Sequence, residues 1–198
     1  MKVLIGILIT SIVFFSCDNK ATEKNSEPSA FDNLDTTKEN PTFFPVSAYI
    51  MGEWETMKKS QIKIKRIQKV NGKIDSSILE VNKWDREFKS IFSVEIDSSN
   101  LSNYFKETKF LDQDLKAITL TYEANSVLPD SIPWNNWNIY IDPETYQVKS
   151  IYLVKNSGKQ ERTQITWVPN KSCTLVVINE NISNQMNKTS ETVYYWGE

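Results

Sequence analysis

From Lys116 to Trp196 the sequence is a series of short runs in which apolar and polar residues alternate, each closed by turn residues. Alternation at period two sends successive side chains to opposite faces of a strand, the pattern of a half-buried sheet. In Ala117–Tyr122, for example, Ile118, Leu120 and Tyr122 fall on one face and Thr119 and Thr121 on the other. Asn138–Ile141 and Val148–Val154 flank Asp142-Pro143-Glu144-Thr145, whose Asp-Pro opening suits a type I turn. Arg162–Val168, Cys173–Asn179 and Thr192–Trp196 read as three further strands. Strands joined by turns this short pair antiparallel with their chain neighbours, so a meander is expected.

An amphipathic sheet needs a cover, and the first half of the chain supplies one. In Val81–Phe92 the residues Val81, Trp84, Phe88, Ile91 and Phe92 form one apolar stripe at helical spacing, with Asp85, Arg86, Glu87 and Lys89 on the other side. An earlier helix is expected from Ser47 as N-cap through Tyr49, Ile50, Trp54 and Met57, weakened by Gly52. Between them Asn71-Gly72 joins Ile62–Val70 to Ile74–Leu79, the signature of a tight hairpin. A shorter helix capped by Asp97 or Ser98 would run through Leu101, Tyr104 and Phe105. The expectation is therefore an α+β fold, an antiparallel β-meander sheet with two to three helices packed on one face, forming a single domain over residues 43–198.

Composition narrows the chemistry. An apolar fraction of 39%, with 12% aromatic residues, describes a folded body rather than a disordered chain. The absence of histidine removes Ser-His-Asp and Cys-His catalysis and histidine-based metal ligation. Five glycines in 198 residues leave little room for a glycine-rich phosphate loop. A net charge of −2 gives no reason to expect nucleic acid. The basic run Lys58–Lys69 reads as a solvated strand face with Ile62, Ile64 and Ile67 inward, and alternatively as a headgroup or acidic-partner contact.

The first seventeen residues set the cellular context. Lys2 is a minimal positive region, Val3–Phe15 is an apolar run too short to span a bilayer, and the small Ser16 precedes Cys17. Met1–Cys17 resembles a bacterial lipoprotein export signal, with Phe14 where leucine is usual. That relaxed form resembles lipoproteins of Bacteroidota-type bacteria. The resemblance implies cleavage between Ser16 and Cys17 and a lipid-modified Cys17 carrying acyl chains such as palmitate. Residues 1–16 would then be the signal peptide and residues 17–42 a lipidated tether, because Asp18–Pro41 is polar and of low complexity. Roughly 24 such residues average about 25–30 Å end to end as a flexible coil. The location implied is the cell membrane or outer membrane, facing the periplasm or the cell surface. With Cys17 lipidated, Cys173 stands alone in a strand-like apolar run and reads as a buried, inert thiol.

Three acidic pairs invite a catalytic reading: Asp112 with Asp114, Asp142 with Glu144, and Asp85 with Glu87. Glycoside hydrolysis needs two carboxyls facing across a cleft, one with a raised pKa. None of these pairs has the apolar surroundings that would raise one, so turn and surface roles are expected, with no catalytic residue, metal or cofactor. The segment Asn125–Trp137 holds two prolines and two tryptophans and reads as a loop. Trp134 and Trp137 beside Asn135 and Asn136 suit a protein-partner or glycan contact, since rings stack on sugars while amides bond hydroxyls; closing the end of the core is the rival role. Asp130-Ser131-Ile132 resembles an O-glycosylation acceptor of exported Bacteroidota proteins, which implies modification of Ser131. The functional expectation is a non-enzymatic binding or accessory module for another envelope protein. The alternatives are a glycan-binding surface lipoprotein and a carboxylate-based envelope glycan hydrolase.

Overall fold

The computed structural model describes residues 43–92, 96, 101–157, 160–180 and 186–196. Among them the order is α1 (Val46–Lys59), β1 (Ile64–Val70), β2 (Lys73–Leu79), α2 (Val81–Ile91), β3 (Phe105–Asp112), β4 (Ala117–Ala124) and β5 (Trp134–Ile141). Four more strands follow, β6 (Val148–Asn156), β7 (Glu161–Val168), β8 (Ser172–Glu180) and β9 (Met186–Tyr195). All nine strands form one antiparallel sheet in the order β2-β1-β9-β8-β7-β6-β5-β4-β3. The fold is a β-rich α+β.

Strands β3 to β9 lie in chain order, but the N-terminal hairpin is added beyond β9, so the sheet as a whole is not the expected meander. β1 pairs with β9, Arg66 opposite Tyr194 and Ile67 opposite Val193, so the first strand closes onto the last. Turn chemistry sets local pairing only; the union of β1 with β9 is a long-range choice that sequence spacing does not encode. Two helices lie within the described residues. The third expected helix falls partly outside them at Asp97–Asn100, and Phe105 opens β3 instead. Ser47 is not the cap of α1 either. Pro45 takes that place without a side-chain bond, and the Ser47 hydroxyl accepts from the Ile96 backbone N–H at 2.8 Å.

One face of the sheet is the core face. Tyr194, Cys173, Trp167, Ile151, Ile139 and Leu120 stand opposite one another across six strands, and all are buried. Aromatic rings fill the space above them in two groups. Near β7 and β9, Trp84 and Phe88 of α2 meet Tyr194 and Trp167 at 4.4 and 6.0 Å between ring centroids. Trp54 of α1 stacks on Phe88 at 5.2 Å. Near β4 and β5, Trp137 stacks on Tyr122 at 4.8 Å and touches Phe105 at 4.6 Å, with Phe43 over Tyr122 at 5.0 Å. The opposite face runs Thr121, Asn138, Tyr152, Thr166 and Thr174 across β4 to β8, half-buried and mostly polar, as on a sheet with one solvated side.

Candidate functional site

A concavity lies beside α1. Val46, Ile50, Trp54 and Met57 turn one stripe of that helix into the core. Tyr49, Gly52, Glu53 and Thr56, at spacings of three and four residues, line a cleft of about 410 Å3 together with Met57, Ile62, Asn170 and Trp196. Gly52 leaves its floor open, since a Cβ built there would meet nothing within 4 Å. On the far side Asn170 takes a left-handed φ of 55° in the turn between β7 and β8, closed by the Lys171 N–H donating to Val168 O at 3.1 Å. The Trp196 N–H donates to Lys171 O at 3.0 Å, which fixes the indole beside Asn170. The Trp196 ring packs on Trp167 at 4.8 Å, and its buried ring N–H has no partner among the described residues.

The Tyr49 phenol is pushed up to about 12, first by burial and then by the charge of Glu53, so it stays a protonated donor. Glu53 supplies an acceptor, Asn170 an amide, and Met57 and Ile62 an apolar wall. The Thr56 hydroxyl is turned back onto Gly52 O at 3.0 Å. Its volume lies within the usual range of small-ligand sites. No sequence signal pointed to it, because its two sides are brought together only by the sheet.

Four of the six acids in these pairs make bonds that hold the fold. Asp85 accepts from Trp54 Nε1 at 3.0 Å and pairs with Lys89 at 2.8 Å and Lys58 at 3.7 Å. Its carboxyl lies below the ordinary value, chiefly through the Lys89 bond. Glu87 accepts from the Tyr194 hydroxyl at 2.5 Å and faces Arg66 at 3.5 Å, joining α2 to β9 and β1. Asp142 accepts from the backbone N–H of Glu144 and Thr145 at 3.0 and 2.9 Å, and those bonds hold its carboxyl low. Asp112 accepts from the Leu115 N–H at 2.9 Å in the turn before β4. Among the described residues no group of three or more His, Cys, Asp or Glu is placed to hold a metal ion. Cys173 is wholly buried, which drives its thiol pKa up, away from reactivity.

The expected contact at Trp134 and Trp137 is corrected by the structure. The loop ends at Pro133, and both indoles belong to β5 with exposures of 1% and 0%. A register shift between Trp134 and Asn136 inserts an extra residue, so rings three positions apart both reach the core. Burial removes them from any stacking surface; Lys155 lies over the Trp134 ring at 5.7 Å. Asn135 and Asn136 part company from the indoles. They line a groove of about 190 Å3 with Tyr152, Val154, Arg162, Gln164 and Ile178, where the buried Asn136 Oδ1 has no partner among the described residues. Ser131 is exposed in the turn closed by the Ile132 N–H on Pro129 O. Cys17, the signal segment and the tether lie outside the described residues. No helix among the described residues is long and apolar enough to cross a membrane.

Comparison with protein-family models, with curated proteins and with solved structures finds no match.

Proposed function

We propose that this protein is a non-enzymatic binding module, held at an envelope membrane by lipid on Cys17 and serving as accessory to another envelope protein. Its β-rich body would carry both helices on the aromatic face of the sheet, with the α1 cleft as the contact. One observation carries the non-catalytic half of this reading. Four of the six acids in the candidate pairs bond structural partners, among them Asp85 to Trp54 and Lys89 and Glu87 to Tyr194, while a cleft of about 410 Å3 is lined by Tyr49, Glu53, Asn170 and Trp196. The anchoring half is supported by the apolar run Val3–Phe15 closing on Ser16-Cys17. Several acyl chains on one cysteine meet the roughly two-chain requirement for stable anchoring.

A photo-crosslinking residue at Thr56, inside the cleft, tests the reading in living cells, with the exposed turn residue Thr145 as control. One envelope protein captured from position 56 and not from 145 is the expected result. Capture of the same proteins from both positions would contradict it.

A glycan ligand is the second reading. The juxtaposition of Tyr49, Asn170 and Glu53 favours it, since a ring, an amide and a carboxylate together match a sugar's apolar face and hydroxyls. Tyr49→Ala would then abolish oligosaccharide binding in calorimetry while circular dichroism still reports a folded chain. Binding that survives the substitution would exclude this cleft.

A further inference from the structure

The hairpin of β1 and β2 forms one edge of the sheet, and its surface is unlike the rest of the molecule. In a chain of net charge −2, residues 63–79 hold five cations (Lys63, Lys65, Arg66, Lys69, Lys73) against the single acid Asp75, a net +4. Arg66 is turned inward onto Glu87, and Ile64 beside it is fully buried, so alternation sends Lys65, Ile67 and Lys69 outward. In register with them across the hairpin, Ile78 stands opposite Lys65 and Ile74 opposite Lys69. Ile74 and Ile78 are 69% and 62% exposed. Tyr195, opposite Lys65 on β9, extends the same face and is partly exposed. Among the described residues none of the four lysines forms an ion pair; the nearest acid in register, Glu191 opposite Lys69, is bound to Lys188 at 2.6 Å.

We infer that this outer hairpin face docks onto an anionic lipid surface. Exposed isoleucines on an edge strand are a liability in water and mark a surface that something covers. Their cover must also match the ammonium groups interleaved with them. An anionic headgroup layer does both: lysines reach phosphates while isoleucine and tyrosine side chains enter the boundary with the acyl region. A protein strand added along the free edge of β2 fits less well. It would pair with the backbone in the plane of the sheet, whereas Ile74 and Ile78 project from its face. The inference deepens the proposed membrane attachment, which supplies a bilayer within reach, and would turn a loosely held body into one with a fixed face toward the membrane.

The test places a polarity-sensitive dye at Ser76→Cys, between the two isoleucines, in the full chain reconstituted into vesicles. Phosphatidylcholine vesicles are compared with vesicles also containing phosphatidylglycerol. A blue shift of the dye in the anionic vesicles alone is expected. It should be lost in about 1 M salt, where the screening length falls to ~3 Å. Each of Lys65→Gln and Lys69→Gln should lower the docked fraction relative to the undocked roughly fivefold, with an unchanged melting temperature. No shift, an equal shift in neutral vesicles, or a shift that persists in the double lysine variant would overturn the inference. So would a shift that follows protein concentration at fixed lipid, the mark of a second copy on this face. The unsubstituted chain separates this outcome from failure of the anchor. Its Cys173 is buried, so dye uptake by that chain would report an unlipidated Cys17.

Discussion

Tyr194 donates its hydroxyl to Glu87, and Arg66 approaches the same carboxylate, so a strand, a helix and the hairpin meet at one acid. A hydrogen bond to a charged group contributes about 1.5–3 kcal/mol, and Tyr194→Phe should lower urea stability by about that amount. The same tyrosine and Tyr122 carry a pH signature. Burial is the main cause that raises both phenols above the ordinary value of 10.0, with bonds to Glu87 and Glu107 adding to it. The native state therefore keeps those protons after the unfolded chain has lost them. Stability from these groups is fully present below about pH 10 and falls above it, by up to about 1.4 kcal/mol per pH unit for each tyrosine. Urea titrations between neutral and alkaline pH read the slope directly, and Tyr194→Phe should reduce it. Trp137, stacked on Tyr122, has a structural rather than a recognition role: Trp137→Ala should cost about 3–5 kcal/mol, whereas Ser131→Ala at an exposed turn should stay within about 0.5 kcal/mol in thermal unfolding. The sequence around these indoles was ambiguous for a physical reason. A tryptophan beside prolines and asparagines looks the same whether its ring turns out to solvent or, through a bulge, back into the core.

At the scale of elements, strands with a buried face or a tight-turn signal could be read directly, and the edge strand β3, which has neither, could not. Strands were read near β4, β6, β7, β8 and the second half of β5, and Asn71 and Gly72 take the left-handed φ values of 47° and 80° that a tight hairpin requires. β3 was missed because it is an edge: Lys106, Thr108 and Lys109 are exposed, and its Phe105-Lys-Glu-Thr-Lys-Phe-Leu-Asp sequence lacks clean alternation. Helix α2 was visible in its aromatic stripe. The start of α1 was misplaced, because Ser47 has a tertiary use for its hydroxyl that local rules do not contain. Gly52 within α1 gives a test at this scale. A Cβ there meets nothing within 4 Å, so Gly52→Ala should raise stability by about 0.5–1 kcal/mol through helix propensity alone. A fall would mean that the cleft floor is less open than described. Gly72→Ala, by contrast, forces a side chain into φ +80° and should cost about 1 kcal/mol in urea unfolding.

On the scale of the whole molecule the parts divide by task. The sheet and its aromatic cover form the body, the α1 cleft gives it a binding surface, and Met1–Cys17 places it at a membrane under the function proposed above. The cleft was not legible in sequence because Tyr49 and Glu53 are more than 100 residues away from Asn170 and Trp196. Only the closing of the chain onto itself brings them together. The proposed export signal is legible in sequence because such a signal would be read as sequence, before any fold exists. The most direct test of membrane attachment is intact-mass spectrometry of the protein extracted from membranes of its own cells. The account predicts a chain beginning at Cys17 and heavier than its sequence by a diacylglycerol or further acyl groups, with Cys17→Ser left as unmodified precursor. A wild-type chain that begins at Met1, or that carries no lipid on Cys17, would contradict it.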